Sequence, residues 1–156
     1  MSEAQTIKNI WLLHRVVGNE IVDMLSDEHL DFRPWDGAMT LKELVLHTVI
    51  GTHKFAEAVQ LGTTVSSTVE KEINTAEELK QLVHEVTEKT TEVLDGLTDE
   101  KLSALVDATR LVGTYMPGKS LLHTMRDHEI HHKGQLYVYI RMIGFEKVPP
   151  FMKLRL

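Results

Sequence analysis

The chain contains no cysteine. That absence excludes disulfides, a thiolate metal site and a cysteine nucleophile, and it fits a cytoplasmic address. Proline is scarce: Pro34, Pro117, Pro149 and Pro150 are the only four, so the strongest helix breaker is missing between Pro34 and Pro117. No apolar run approaches the ~18 residues a membrane span needs. The opening MSEAQTIKNIWLLHRVVG lacks the basic leader, apolar stretch and small-residue cleavage site of a signal peptide. Cations are outnumbered, 17 Lys and Arg against 23 Asp and Glu. Arg15, Lys54, Lys80 and Arg141 are scattered, which excludes the basic stripe of a nucleic-acid surface.

What remains is an ordinary globular composition, 42% hydrophobic and 26% charged over 156 residues. This size and balance predict one soluble domain, 1–156, with a real core. Apolar residues Ile7, Ile10, Trp11, Val17, Ile21 and Met24 recur at spacings of three and four, predicting a first helix from about Glu3 to Leu25. A polar linker with Pro34 and Gly37 follows. Thr40 and Glu43 have the spacing of a capping box and open a second helix that ends near Gly62. The stretch GTTVSSTVEKEIN reads as a long surface loop. Thr75 and Glu78 repeat the capping-box spacing and open a third helix, to Gly96. Residues 98–119 show no single period; a short helix at 99–106 and an extended turn are expected. Ser120 is a suitable N-cap for a last helix to Ile143, with Gly144 beyond it. The fold class is therefore all-α, a four-helix bundle with a long connection between its second and third helices.

Three of the nine histidines fall in DHEIHHKGQ, Asp127 to Gln135. At about 100° per residue, His132 lies about 40° from His128 and one turn along, so the two imidazoles converge above one face. Two histidines at this spacing can share a metal, given a third ligand from another helix. Gln135 returns to the same face, while His131 lies about 60° to the other side of His128 and Glu129 about 100° away. These three are the outer-shell candidates, with Glu129 poorly aimed for a general base. His128 to His132 also fits the zinc-protease pattern H-E-x-x-H, but Gln135 and Val138 stand where the extended pattern has Gly and His. The only carboxylate after His132 is Glu146. The pattern thus points to a metal site without a protease.

The best third ligand is His47, on the second helix. It shares a face with Leu44 and Gly51, and Gly51 would let a neighbouring helix or a ligand approach closely. Alone, His47 is more simply a core histidine; beside a pair that awaits a partner it becomes the third ligand. Glu43 either orients His47 from outside or only caps its helix, with capping the simpler role. His14 is expected partly buried, Trp11 in the core and Trp35 as a loop anchor or at a pocket mouth. His29, His53, His84 and His123 are expected at the surface.

Two blocks, LSDEHLDFRPWDGAMTLKELVLHTVIGTHKF and HEIHHKGQLYVYIRMIG, with the long interval between them, resemble the DinB/YfiT-like metal-dependent four-helix bundles, a family distinct from the DNA polymerase of the DinB name. The second block is similar to that family's H-x-x-H-H-[RK]-G-Q signature. The resemblance implies a divalent metal, zinc or nickel, on His47, His128 and His132. It also implies a homodimer, and in some relatives transfer of a low-molecular-weight thiol such as bacillithiol or mycothiol. A three-histidine site with open positions can activate a water or a thiol. Lacking cysteine, this chain would take its thiolate from a co-substrate. The expected function is a small-molecule metalloenzyme, a thiol S-transferase or a hydrolase; the alternative is a non-catalytic metal- or ligand-binding dimeric bundle in a stress response. The apolar tail from Val148 to Leu156 should pack on its own bundle or on a partner.

Overall fold

The computed structural model describes residues 1–66 and 71–156. Four long helices form its core bundle: α1 (Glu3–Asp23), α2 (Leu41–Leu61), α3 (Ala76–Asp95) and a last helix, α6 (Gly118–Met142). Their ends are set by local chemistry. Ser2, Thr40 and Thr75 each cap a helix through a reciprocal box with Gln5, Glu43 and Glu78. Gly62 closes α2 at φ 80°, a left-handed conformation that a Cβ would disfavour. The helices pack as a ring in which α1 touches α3 and α6, and α2 touches the same two. The core divides lengthwise: Val17, Leu41, Leu79 and Ile140 anchor one apolar cluster, Trp11, Phe55, Leu94 and Leu121 the other. The connection from α2 to α3 spans 62–75, and its residues 67–70 lie outside the described part.

Between α3 and α6 the expected helix and extended turn give way to a more elaborate unit, so the fold is more than a plain four-helix bundle. A short helix α4 (Asp99–Ser103) leads into strand β1 (Leu105–Ala108), a single helical turn α5 (Thr109–Val112) and strand β2 (Thr114–Pro117). β1 and β2 pair antiparallel, from Leu105 opposite Pro117 to Ala108 opposite Thr114. Val106 and Ala108 point into the core and Asp107 does not. Four-residue strands offer too few alternations to betray a period of two in sequence. The hairpin is tied to the end of α2, where Asp107 N donates to Gly62 O (3.0 Å) and Thr64 N to Asp107 O (3.2 Å). This tether brings α5 beside α2, where the site lies.

α6 begins three residues earlier than its Ser120 cap would place it. Gly118 N donates to Ala104 O, so the backbone at the end of α4, rather than a side chain, takes up the first amide. A Cβ on Gly118 would lie 2.4 Å from Lys101 O, a contact only glycine avoids. The C-terminal tail packs on its own bundle. Tyr137 Oη donates to Pro149 O and Pro150 O, Lys153 N donates to Leu13 O, and Lys133 Nζ donates to Phe151 O. Phe151, Leu154 and Leu156 nonetheless keep their side chains exposed. No described helix is long and apolar enough to cross a membrane.

Candidate metal centre

α2 and α6 lie side by side, and their facing surfaces bring together His47, His128 and His132. His47 Nε2 is 3.1 Å from His132 Nε2 and 3.3 Å from His128 Nε2. One nitrogen from each of the three lies within 4.8 Å of the others. With metal–nitrogen bonds of about 2.0–2.1 Å, ligand nitrogens stand about 3.3 Å apart in a tetrahedral site and about 3.0 Å on one face of an octahedral one. The observed separations fit either geometry, so the cluster could hold a divalent metal without selecting which.

Gly51 makes the approach possible. A Cβ there would stand 3.0 Å from His128 Cε1 and 3.6 Å from its Nε2, so the missing side chain is the seat of the His128 ring. The close neighbour that Gly51 admits is thus His128 of α6. Phe55, one turn further along α2, flanks the same ring with centroids 5.5 Å apart.

Protonation favours ligation. Burial, then the neighbouring His132 and His47, push the His128 imidazole down to about 4. Burial also lowers His132 from its ordinary value. Both rings are therefore neutral near pH 7, the form that binds metals. His132 Nδ1 lies 2.7 Å from Gln135 Oε1; since the amide oxygen can only accept, the ring proton sits on Nδ1 and the Nε2 lone pair faces the cluster. His128 Nδ1 is buried with no such partner among the described residues.

His131 is exposed and stacks edge-on against His132 at 4.8 Å, beside the cluster. Glu129 is turned into the bundle, 3% exposed, where it accepts from Trp11 Nε1 (2.8 Å), Thr52 Oγ1 (3.0 Å) and both Nε and Nη2 of Arg15. Burial pushes its carboxyl up, but the Arg15 guanidinium and these donors together hold it below the usual glutamate range. Glu43 accepts from Thr40 N at 2.7 Å and serves as a cap. His14 is buried against Lys133 Nζ (2.8 Å). His53 is half-buried and bonds Thr90, and His29 packs edge-on against Phe145, so neither is a free surface residue. Trp11 is fully buried as expected, whereas Trp35, 66% exposed, lines a separate groove with Gln135, Val138 and Met142.

An open pocket of about 410 Å³ adjoins His47 and His128. Leu46, Ile50, Phe55 and Leu111 form its apolar wall, and Lys54 and Arg110 bring positive charge. Arg110 and Leu111 come from α5, the part of the chain with the weakest sequence signal.

The molecule is thus a helical bundle with three convergent histidines, two of which line an open pocket. The DinB family profile matches residues 1–154, and the chain belongs to that family. It is 36% identical over 149 residues to the uncharacterized protein YjoA of Bacillus subtilis strain 168, with 96% of each chain covered. A crystal structure of that DinB-like YjoA aligns with a TM-score of 0.84 at 33% identity, covering 95% of this chain and 99% of the other. A DinB-like protein from Bacillus cereus ATCC 10987 aligns at 0.75 and 25% identity, covering 90% and 92%. A DinB-family structure from Exiguobacterium sibiricum, at 0.62 and 15% identity over 97% and 99%, shares the fold.

Proposed function

We propose that His47, His128 and His132 hold one divalent metal, zinc or nickel, and that the protein is a small-molecule metalloenzyme of the thiol S-transferase type. The observation that carries this reading is the convergence of three Nε2 atoms, 3.1 and 3.3 Å apart, beside an open pocket. When bound, such a metal supplies Lewis acidity and lowers the pKa of a thiol or water that reaches it. The chain's own residues do the rest. Gln135 fixes the tautomer of His132, Gly51 seats His128, and the apolar wall of Leu46, Ile50, Phe55 and Leu111 limits water around a bound substrate.

Thiol transfer is preferred to hydrolysis because the residues lining the pocket include no carboxylate to act as a base toward water. Glu129, the carboxylate next to His128 in sequence, is committed to Arg15, Trp11 and Thr52. A thiol acidified at the metal needs no such base. A cytoplasmic homodimer belongs to the same proposal. The absence of cysteine supports the address, and exposed Trp35, Val138 and Met142 around one groove supply apolar surface for a second copy.

Elemental analysis of untagged wild type and His128→Ala tests the proposal. The expected result is about one zinc or nickel per wild-type chain, lost in the variant. A wild type that takes up no stoichiometric metal, even after incubation with zinc and nickel, would remove the basis of the metalloenzyme reading.

A further inference from the structure

The pocket beside the histidines carries a charge pattern that metal binding does not use. The chain as a whole is acidic, with a net charge of −6. The pocket is the reverse: Lys54 from α2 and Arg110 from α5 both line it, and no acidic residue does. Neither cation is spent elsewhere, since neither takes part in an ion pair among the described residues. Asp107, the acidic neighbour of Arg110 on the hairpin, instead accepts from Thr109 N and Thr109 Oγ1. Arg110 is steadied by Ser66, with Nη1 to Oγ at 3.4 Å. Two cations without an ion-pair partner among the described residues, beside an apolar wall, hold a field that an anion can satisfy. The arginine fork matches two oxygens of an oxyanion, and the lysine adds a point charge.

We infer that Lys54 and Arg110 form an oxyanion-binding subsite of this pocket, so that its ligand is a small organic acid whose charged end lies against these two residues and whose apolar middle lies along Phe55 and Leu111. With His47 and His128 of the cluster lining the same pocket, the other end of that molecule carries the thiol of the proposed function. The identity of that end rests on the metal reading; the anion subsite rests on Lys54 and Arg110 alone. Sequence reasoning passes over the pair because 56 positions separate them and only the hairpin's tether to Gly62 and Thr64 brings α5 to α2.

The test is a binding measurement on untagged full-length protein loaded with cobalt(II), whose absorption reports thiolate coordination. It is titrated with 3-mercaptopropionate and with the neutral 3-mercaptopropanamide. The wild type is expected to bind the acid about tenfold more tightly than the amide, as charge-assisted hydrogen bonds would give. Arg110→Gln and Lys54→Gln should each erase most of that preference while leaving the amide's affinity unchanged. Lys80→Gln, the same charge change far from the pocket, should preserve it. Equal affinities in the wild type, or a preference that survives in both pocket variants, overturns the subsite. Cobalt that fails to bind defeats the metal reading instead. The subsite is then judged on metal-free protein by the NMR shifts of the Gly51 amide and the Arg110 side chain. Shifts caused by the acid and not by the amide support it, and no difference overturns it. Displacement of the acid by acetate marks the oxyanion as a carboxylate, displacement by inorganic phosphate marks it as a phosphate, and displacement by neither overturns the assignment.

Discussion

α6 carries two pairs of ionisable residues at the same spacing, one residue out of step: His128 and His132 on one face, Glu129 and Lys133 on the next. Their surroundings differ sharply. Glu129 and Lys133 are 3% and 5% exposed, and both are satisfied within the chain, the first by Arg15, Trp11 and Thr52, the second by His14 and the carbonyl of Phe151. The histidine face borders an open pocket, and its ring nitrogens point at one another. A partnered buried network holds a fold together, whereas three imidazole nitrogens converging beside a pocket could serve a cation as ligands. Helical spacing alone does not separate these roles; the elements packed opposite do. Arg15 arrives from α1 on one side, and His47 from α2 on the other.

Breaking the buried pair should have the largest effect. Glu129→Ala leaves Arg15, itself 1% exposed, without its carboxylate, and the expected loss is about 3–5 kcal/mol of unfolding free energy in urea titrations. A loss below about 1 kcal/mol would mean that the network is not structural. Next is Gln135→Ala, which removes the acceptor from His132 Nδ1. It should lower metal affinity about 10–100-fold in chelator competition while changing stability by less than about 0.5 kcal/mol. Unaltered affinity would show that Gln135 does not orient the ring.

Acid should act on the same face. In metal-free protein His128 takes up its proton near pH 4 when folded but near 6.5 when unfolded. Between those values the unfolded chain binds more protons, so stability must fall as the pH drops from about 6.5 to about 4. His132, also lowered, contributes with the same sign. Urea midpoints at pH 7, 5.5 and 4.5 should decline in that order, and flat midpoints would contradict a buried neutral His128. The smallest and most discriminating change is Gly51→Ala. Replacing a mid-helix glycine can stabilise α2 by up to about 1 kcal/mol, yet the new Cβ would press on His128 at 3.0 Å. Stability that holds or rises while metal affinity falls about tenfold is the expected pair of results. Equal affinity would show that the ring has room to shift.

Much of this was legible in the chain because it is local. Capping boxes at Thr40 and Thr75, glycine after α2 and the apolar period of each long helix place the helices without reference to anything distant. The histidine pair and Gln135 follow from helical geometry, and His47 from sharing a face with Gly51. That face leaves His47 exposed, however, rather than turned into the bundle as its neighbours Leu44 and Gly51 suggest. The hairpin escapes because its strands are four residues long and are held by the end of α2 rather than by their own pattern. The role of Glu129 escapes because its partners lie more than 70 positions away, on α1 and α2. Arg110 is hidden for the same reason: its own four-residue helix says nothing of the pocket it faces.

X-ray absorption at the metal edge of untagged, metal-loaded protein measures the central claim most directly. Three imidazole nitrogens at about 2.0–2.1 Å around one zinc or nickel per chain is the result expected, falling to two in His47→Ala. A metal surrounded by oxygen donors alone, or a spectrum unchanged by His47→Ala, would contradict the assignment of His47, His128 and His132 as its ligands.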